Sequence, residues 1–329
     1  MVDQREIVLI VTNKMDLTAD MVVLALQGQN IPYARFNTED FPQRVSLCWK
    51  LSSGKIDGFL ELPRVRVKLS SIRSVWFRRP APPVVSSEIS DLGLREFAQR
   101  ESQEALSGLW RTLDCFWMSH PDAINEASYK PRQLKVAQEM GFQVPKSLIS
   151  NSPSIVERFR QECGGRIVAK TLHSGLVETQ DGTKVIFTTP VDTANLSADS
   201  SIELAPTLFQ EYVQKKTELR VTIIGDSALA AEIESQSVDG AEHDWRRAAP
   251  ETLGFRPVRL PRDLAENCLR LVHHFGLAFG AIDMIKTPNG RHVFLELNPN
   301  GQWGWLERAT GDSYTEAITR TLVNMEAVR

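Results

Sequence analysis

The stretch FGAIDMIKTPNGRHVFLELNPNGQWGWLE, Phe279 to Glu307, decides how the rest of the chain is read. Two short apolar strands flank Pro288-Asn289-Gly290, a turn signal of the kind that closes antiparallel hairpins. With Thr287 facing Gly290 across the turn, Asp283 falls opposite Phe294 and diagonal to Glu296. Glu296 and Asn298, two residues apart, share a face because strand side chains alternate. Three hard oxygen donors, Asp283, Glu296 and Asn298, therefore converge on one small volume.

A carboxylate inside an apolar strand must be paired, protonated or bound to a cation, since leaving it buried and alone costs on the order of several kcal/mol. No Lys or Arg of these two strands is placed to pair with them, so a magnesium-type cation is the natural partner. Such ions keep oxygen ligands and bind through carboxylates together with substrate phosphates. Taken singly, an Asp and a Glu in strands are usually solvent-facing. The added Asn298, the apolar flanks and the shared face point to a site instead.

Composition sets the outer bounds. With 329 residues the chain exceeds one typical core, and two or three lobes are expected. Apolar residues make up 42% and charged ones 24%, the balance of an ordinary soluble globular protein. A formal charge of -3 argues against non-specific nucleic-acid binding, which needs a basic surface. The opening MVDQREIVLIVTN reads as a first strand and not as a signal peptide. No apolar run reaches the length of a membrane span. Cys48, Cys115, Cys163 and Cys268 lie far apart, which fits reduced thiols in a cytoplasmic protein and excludes a zinc knuckle.

From the N-terminus, a strand at Ile7 to Thr12, a helix over about Thr18 to Gln27 and a strand near Tyr33 to Phe36 form a β-α-β start, hence a small parallel sheet. LEL at 60 to 62 and RVRVKL at 64 to 69 alternate as a hairpin, and SVWFRRP follows at 74 to 80. Arg78 and Arg79 are either a solvated strand end or a hold on phosphate or carboxylate. From Asp91 to Trp117 apolar residues recur at helical spacing, so a long amphipathic helix closes the first lobe. Lys130 precedes a helix with Pro131 early and Gly141 past its end. VPKSLI leads to Ser152-Pro153, which opens a helix ended by Gly164-Gly165. RIVAK ends in Lys170 and runs into a polar loop able to fold over phosphates. TLFQEYV, the strand KKTELRVTIIGD with Glu218 and Arg220 on one face, a helix at 262 to 275 and a C-terminal helix complete the chain.

Two strand-associated lysines, a strand ending in Gln210-Glu211-Tyr212-Val213, then Glu218, Arg220, Asp283, Glu296 and Asn298 form an ordered set. In that order they resemble the ATP-grasp superfamily, over about Ser128 to Asn300. The resemblance implies an α/β fold with an N-terminal pre-ATP-grasp domain at 1–118, a central lobe at 119–205 and a C-terminal lobe at 206–329. Lys130 and Lys170 would face phosphates, Glu211, Tyr212 and Val213 the adenine, and Glu218 the ribose. Mg2+ would sit on Asp283, Glu296 and Asn298, with Arg220 stabilising the transferred phosphoryl group. No GxxxxGK[ST] and no GxGxxG occurs, so P-loop and dinucleotide-fold readings fail.

SVWFRRP, SYKPRQLKVAQEMGFQVPKSLISNSP, FQEYVQKKTELRVTIIG, HDWRR and FLELNPNGQWGWLE are further similar to the ATP-grasp ligases that macrocyclise ribosomal peptides, the microviridin or graspetide group. That resemblance spans nearly the whole chain. It implies that ATP activates Asp or Glu side chains of a precursor peptide as acyl phosphates, which a Ser/Thr hydroxyl or Lys amine attacks to give ω-ester or ω-amide rings. Arg246, backed by Arg247, would grip the substrate carboxylate in bidentate fashion, with Asp244 orienting it. The stretch VDTANLSADSS after Pro190 corresponds to the place where a leader segment docks in this group. The resemblance also implies a homodimer, while charge and hydropathy give the expectation of no nucleic-acid or membrane partner. Two rivals remain at this level: an ATP-grasp ligase adding a free amino acid to a carboxylate, and an ATP-binding protein without turnover, against which the retained Asp283, Glu296, Asn298, Arg220 and both lysines speak.

Overall fold

The computed structural model describes residues 6–173, 175–179, 181–192 and 201–325. The uninterrupted apolar run Ile7–Thr12 sits inside a parallel four-stranded sheet in the order Tyr33–Asn37, Ile7–Thr12, Ile72–Phe77, Phe116–Met118. Strands buried on both faces read as continuous hydrophobic sequence, and this one does. The helix Leu17–Gly28 follows, and the Asp16 carboxylate accepts from the amides of Thr18 and Ala19 at its first turn. Strands Ser46–Ser52, Lys55–Leu62 and Val65–Lys68 form a separate antiparallel sheet.

The helix expected from Asp91 to Trp117 stops earlier, at Leu92–Trp110. Phe116–Met118 instead becomes the fourth parallel strand, paired with Ser74–Trp76. A three-residue apolar strand cannot be told from one more helical turn by periodicity, which is why the spacing misled.

The middle of the chain builds the sheet Thr189–Pro190, Ile167–Lys170, Thr207–Glu211, Ser147–Ser150. The helix Pro153–Glu162 covers it with Val156 and Phe159, against Ile167 and Phe209. Gly164 and Gly165 take left-handed φ values of 69° and 87°, and the Gly165 amide closes the helix on the Arg160 carbonyl at 2.8 Å. Where a polar loop was expected after Lys170, Leu176–Thr179 and Gly182–Val185 pair as a hairpin. The leader-docking expectation for 191–201 falls at 193–200 outside the described residues.

The C-terminal part is a five-stranded antiparallel sheet, Phe255–Pro257, Ser227–Ile233, Thr217–Ile224, Phe279–Lys286, His292–Asn298. On one face Leu219, Val221, Ile282, Met284, Phe294 and Leu297 pack under the helices Arg262–His274 and Lys130–Glu139. On the other, Ile224, Ala231 and Phe279 share a core with Val8, Ile10, Val22 and Leu26 from the start of the chain and with Trp303, Tyr314, Ile318 and Leu322 from its end. The sheet is therefore a partition, dry on both sides at one end. Its remaining open stretch of the second face carries the polar residues.

Candidate active site

The hairpin closes one residue later than the turn signal suggests: the Thr287 amide donates to the Arg291 carbonyl at 2.9 Å. From there Lys286 pairs with His292, Ile285 with Val293 and Met284 with Phe294. A bulge between Met284 and Asp283 then shifts the ladder, so that Asp283 faces Glu296 and Ala281 faces Asn298. The expected pairing of Asp283 with Phe294 is thus corrected. Without the bulge Leu295 would oppose Asp283, and Glu296 would point into the apolar core. The extra residue turns Phe294 and Leu297 to the core and Glu296 and Asn298 to Asp283.

The Asn298 amide nitrogen lies 2.8 Å from Asp283 Oδ2 and 3.4 Å from Glu296 Oε1. Turning the amide over would present its oxygen to the same space. Among the described residues no cluster of three or more His, Cys, Asp and Glu is placed to hold a metal, so beside Asp283 and Glu296 the candidate third side-chain donor is this amide. Two carboxylates and an amide oxygen, all hard donors, fit a magnesium-type ion.

Both carboxylates also have cationic neighbours, delivered from other elements and invisible in the hairpin alone. Arg220, on the adjacent strand and directly opposite Asp283, donates Nη1 to both carboxylate oxygens at 2.8 and 2.7 Å. Lys130 Nζ lies 3.1 Å from Glu296 Oε2 and donates to the Thr171 carbonyl at 2.8 Å. Burial acts to raise the Glu296 carboxyl, but Lys130, Lys170 and Arg246 outweigh it and hold the group at about 2. Asp283 goes the other way: burial and the adjacent Glu296 charge push it up against the pull of Arg220. Neighbouring carboxylates driven apart in this way mark sites built for charge. The Lys170 ammonium is pushed down by burial, with Glu296 opposing and Lys130 adding to the effect.

Asp244 and Arg246 form a bidentate pair, Nε to Oδ1 at 2.8 Å and Nη2 to Oδ2 at 2.7 Å. Asp244 also accepts from the backbone amides of Arg246 at 3.2 Å and Thr188 at 3.0 Å. Burial works to raise this carboxyl, and the hydrogen bonds and charge of Arg246 bring it down to about 2. The Arg246 guanidinium is raised first by its hydrogen bonds to Asp244, against burial, with the charges of Asp244, Glu296 and Asp283 adding to the effect. Arg247 points elsewhere: it donates to Thr189 Oγ1 at 3.1 Å and lies over the Phe187 ring at 5.2 Å. Trp245 packs on Trp305 at 5.0 Å.

Glu211, Tyr212, Val213 and Gln214 line a cleft of about 330 Å³ with Thr287, Pro288, Asn289 and Arg291 from the hairpin turn. That lies within the range of small-molecule sites, roughly 300–1,000 Å³. Tyr212 is fixed by the Arg166 guanidinium at 4.0 Å and the His243 ring at 5.6 Å. Glu218 is not among the lining residues. It is buried, with Oε1 accepting from Lys215 Nζ and Ser235 Oγ, both at 2.8 Å, and burial raises its carboxyl. No sequence motif links Lys215 and Ser235 to Glu218.

Residues 7–125 match the MvdD pre-ATP grasp domain model. The macrocyclase MdnC of Microcystis aeruginosa MRC, solved with precursor peptide MdnA, is 31% identical, with 97% of this chain and 99% of that one covered and a TM-score of 0.86. The chain belongs to the ATP-grasp macrocyclases of ribosomal peptides. Another member of this ATP-grasp group, macrocyclase MdnB of the same organism, is 30% identical over 97% of this chain and 99% of that one, at a TM-score of 0.81. A Chryseobacterium gregarium RiPP-associated ATP-grasp ligase, in complex with ADP and a leader and core peptide, is 28% identical over 97% of each chain, at a TM-score of 0.90. The comparison with curated proteins yields no match.

Proposed function

We propose that this chain uses ATP to activate Asp or Glu side chains of a ribosomally made precursor peptide and closes them into rings with a Ser/Thr hydroxyl or a Lys amine. The observation that carries this reading is the meeting of Asp283, Glu296 and Asn298 with Arg220 from the adjacent strand and Lys130 from the helix that follows Tyr129. The related structures bound to precursor peptides and to ADP support it.

In this reading the adenine enters the cleft between Glu211–Val213 and the hairpin turn. Lys130 and Lys170 meet the polyphosphate as point charges. Asp283, Glu296 and Asn298 would hold Mg2+, which when bound neutralises phosphate charge. Arg246, kept rigid by Asp244, presents the remaining edge of its guanidinium to the peptide carboxylate, and Arg247 supports the loop through Thr189 and Phe187. A carboxylate oxygen attacks the γ-phosphorus of ATP, ADP leaves, and Arg220 compensates the charge on the phosphoryl group in flight. The nucleophile then attacks the acyl carbon, losing its proton, and phosphate leaves. Glu218, neutralised by Lys215, would bound the ribose side from beneath. The precursor peptide is the partner, and a homodimer free of nucleic acid and membrane is the proposed form. Among the described residues, no helix is long and apolar enough to cross a membrane.

The deciding experiment incubates the protein with its precursor peptide, ATP and magnesium. Ring closure lowers the peptide mass by one water per ring. A gain matching an added amino acid would replace the macrocyclase by a ligase of free amino acids.

A further inference from the structure

Directly after the Asn298 strand, the loop Pro299–Trp303 is gripped from the N-terminal sheet. Arg78, one residue beyond the strand Ile72–Phe77, has a fully buried guanidinium, 0% exposed. Its Nη1 donates to the Asn300 carbonyl at 2.6 Å and its Nη2 to Gln302 Oε1 at 2.8 Å, while Asp16 Oδ2 stands 3.8 Å from Nε. Arg79 adds Nε and Nη2 to the same Asn300 carbonyl, at 3.1 and 3.0 Å. A buried cation is a costly tether, and apolar packing would join two lobes equally well. The position it enforces must matter for something else.

Between the two gripped residues lies Gly301. A Cβ there would stand 2.5 Å from Ala281 Cβ and 2.6 Å from Arg220 Nη2. The Gly301 amide donates to the Asn298 carbonyl at 3.1 Å, and Arg220 Nη2 reaches the Gln302 carbonyl at 3.4 Å. Arg220 Nε is buried without a hydrogen-bond partner, so the Asp283 carboxylate, the Gln302 carbonyl and the bare backbone at Gly301 together hold its guanidinium. The loop is a wall, and Arg220 lies against it.

We propose that Arg78 is a positioning residue for the ligase: by holding Asn300 and Gln302 it sets the Gly301 wall, and through that wall the place of Arg220. This rests on the active-site reading of Arg220 given above. The N-terminal sheet thereby contributes to chemistry without touching the nucleotide.

The test is a double-mutant cycle read by water-loss mass spectrometry at saturating ATP and peptide, with ADP affinity and circular dichroism as controls. Gly301→Ala is expected to lower kcat by about 10²-fold, the scale of a misplacement near 1 Å, with ADP affinity retained. In an Arg220→Lys background, Gly301→Ala should cost less than about threefold more, because the group it displaces is already altered. Ala281→Gly removes the other crowded contact and should not rescue Gly301→Ala. Arg78→Met should reproduce the kcat loss, and Arg78→Lys, which keeps one of the two bonds, should recover part of it. Additive losses in the cycle, rescue by Ala281→Gly, or a folded Gly301→Ala protein with unchanged kcat would each overturn the inference. Should Arg220→Lys itself leave kcat unchanged, the active-site reading fails first. Loss in Arg220→Lys with none in Gly301→Ala overturns only the positioning role.

Discussion

Replacing Asp244 by Asn tests the Asp244–Arg246 pair through both stability and activity. The carboxylate is 4% exposed, and its pKa falls from an ordinary 3.8 to about 2. At about 1.4 kcal/mol per unit, the native environment favours the charged form by roughly 2.5 kcal/mol. The sign follows from the direction of the shift. A carboxyl depressed in the folded state stabilises fully above its unfolded value and loses that contribution as pH falls through its folded value. Asp244→Asn should therefore lower unfolding stability by roughly 2.5 kcal/mol at pH 7, and the gap to the parent should shrink by about half near pH 3. Urea midpoints at pH 7, 5 and 3 measure it. In the same variant Arg246 loses its bidentate partner, so KM for the peptide should rise while ADP affinity stays. Equal midpoints at neutral pH, or a gap that stays constant down to pH 3, would refute the assignment of Asp244 as a buried, charge-stabilised carboxylate.

Other outcomes follow from the same geometry. Glu296→Ala and Asn298→Ala should each lower ring closure by about two to three orders of magnitude, and unchanged mass-spectrometric rates would remove the proposed Mg2+ ligands. Arg246→Ala should impair peptide modification far more than ADP affinity measured by calorimetry; matched losses would defeat its substrate role. Arg166→Ala frees the Tyr212 ring beside the cleft and should weaken ADP binding by about fivefold, the value of roughly 1 kcal/mol for a partly shielded cation–π contact. Unaltered ADP affinity in that variant would separate Tyr212 from the nucleotide.

Much of this site is legible from residue order, because alternation and a strong turn place Glu296 and Asn298 together on one strand and Asp283 on the next. What alternation missed is the bulge. Phe294 and Leu297 are both buried though three apart, a spacing that regular strands do not allow on one face, but Val293, Leu295 and Leu297 alternate regularly in the sequence and give no sign of it. The charge balance was harder to see. Arg220 and Lys130 reach Asp283 and Glu296 from a neighbouring strand and a distant helix, so the reading of two strands alone found no counter-charge. Arg78 was harder still, since arginine is almost never fully buried and nothing local says that this one is. Phe116–Met118 shows the limit at short length, where three apolar residues carry no period. Glu218 shows a different limit: order placed it beside Arg220, but its partners Lys215 and Ser235 emerge only from packing.

One interior is filled jointly by Val8, Ile10, Val22 and Leu26 and by Trp303, Tyr314, Ile318 and Leu322, while Val156, Phe159, Ile167 and Phe209 make a small interior of their own. The unit ahead of residue 118 is therefore no detachable cassette. A chimaera that grafts it onto another ligase must carry the matching tail helix as well, or bare a strip of aliphatic surface at both cut ends. The segment around Phe159 has no such obligation, since its apolar contacts close on themselves.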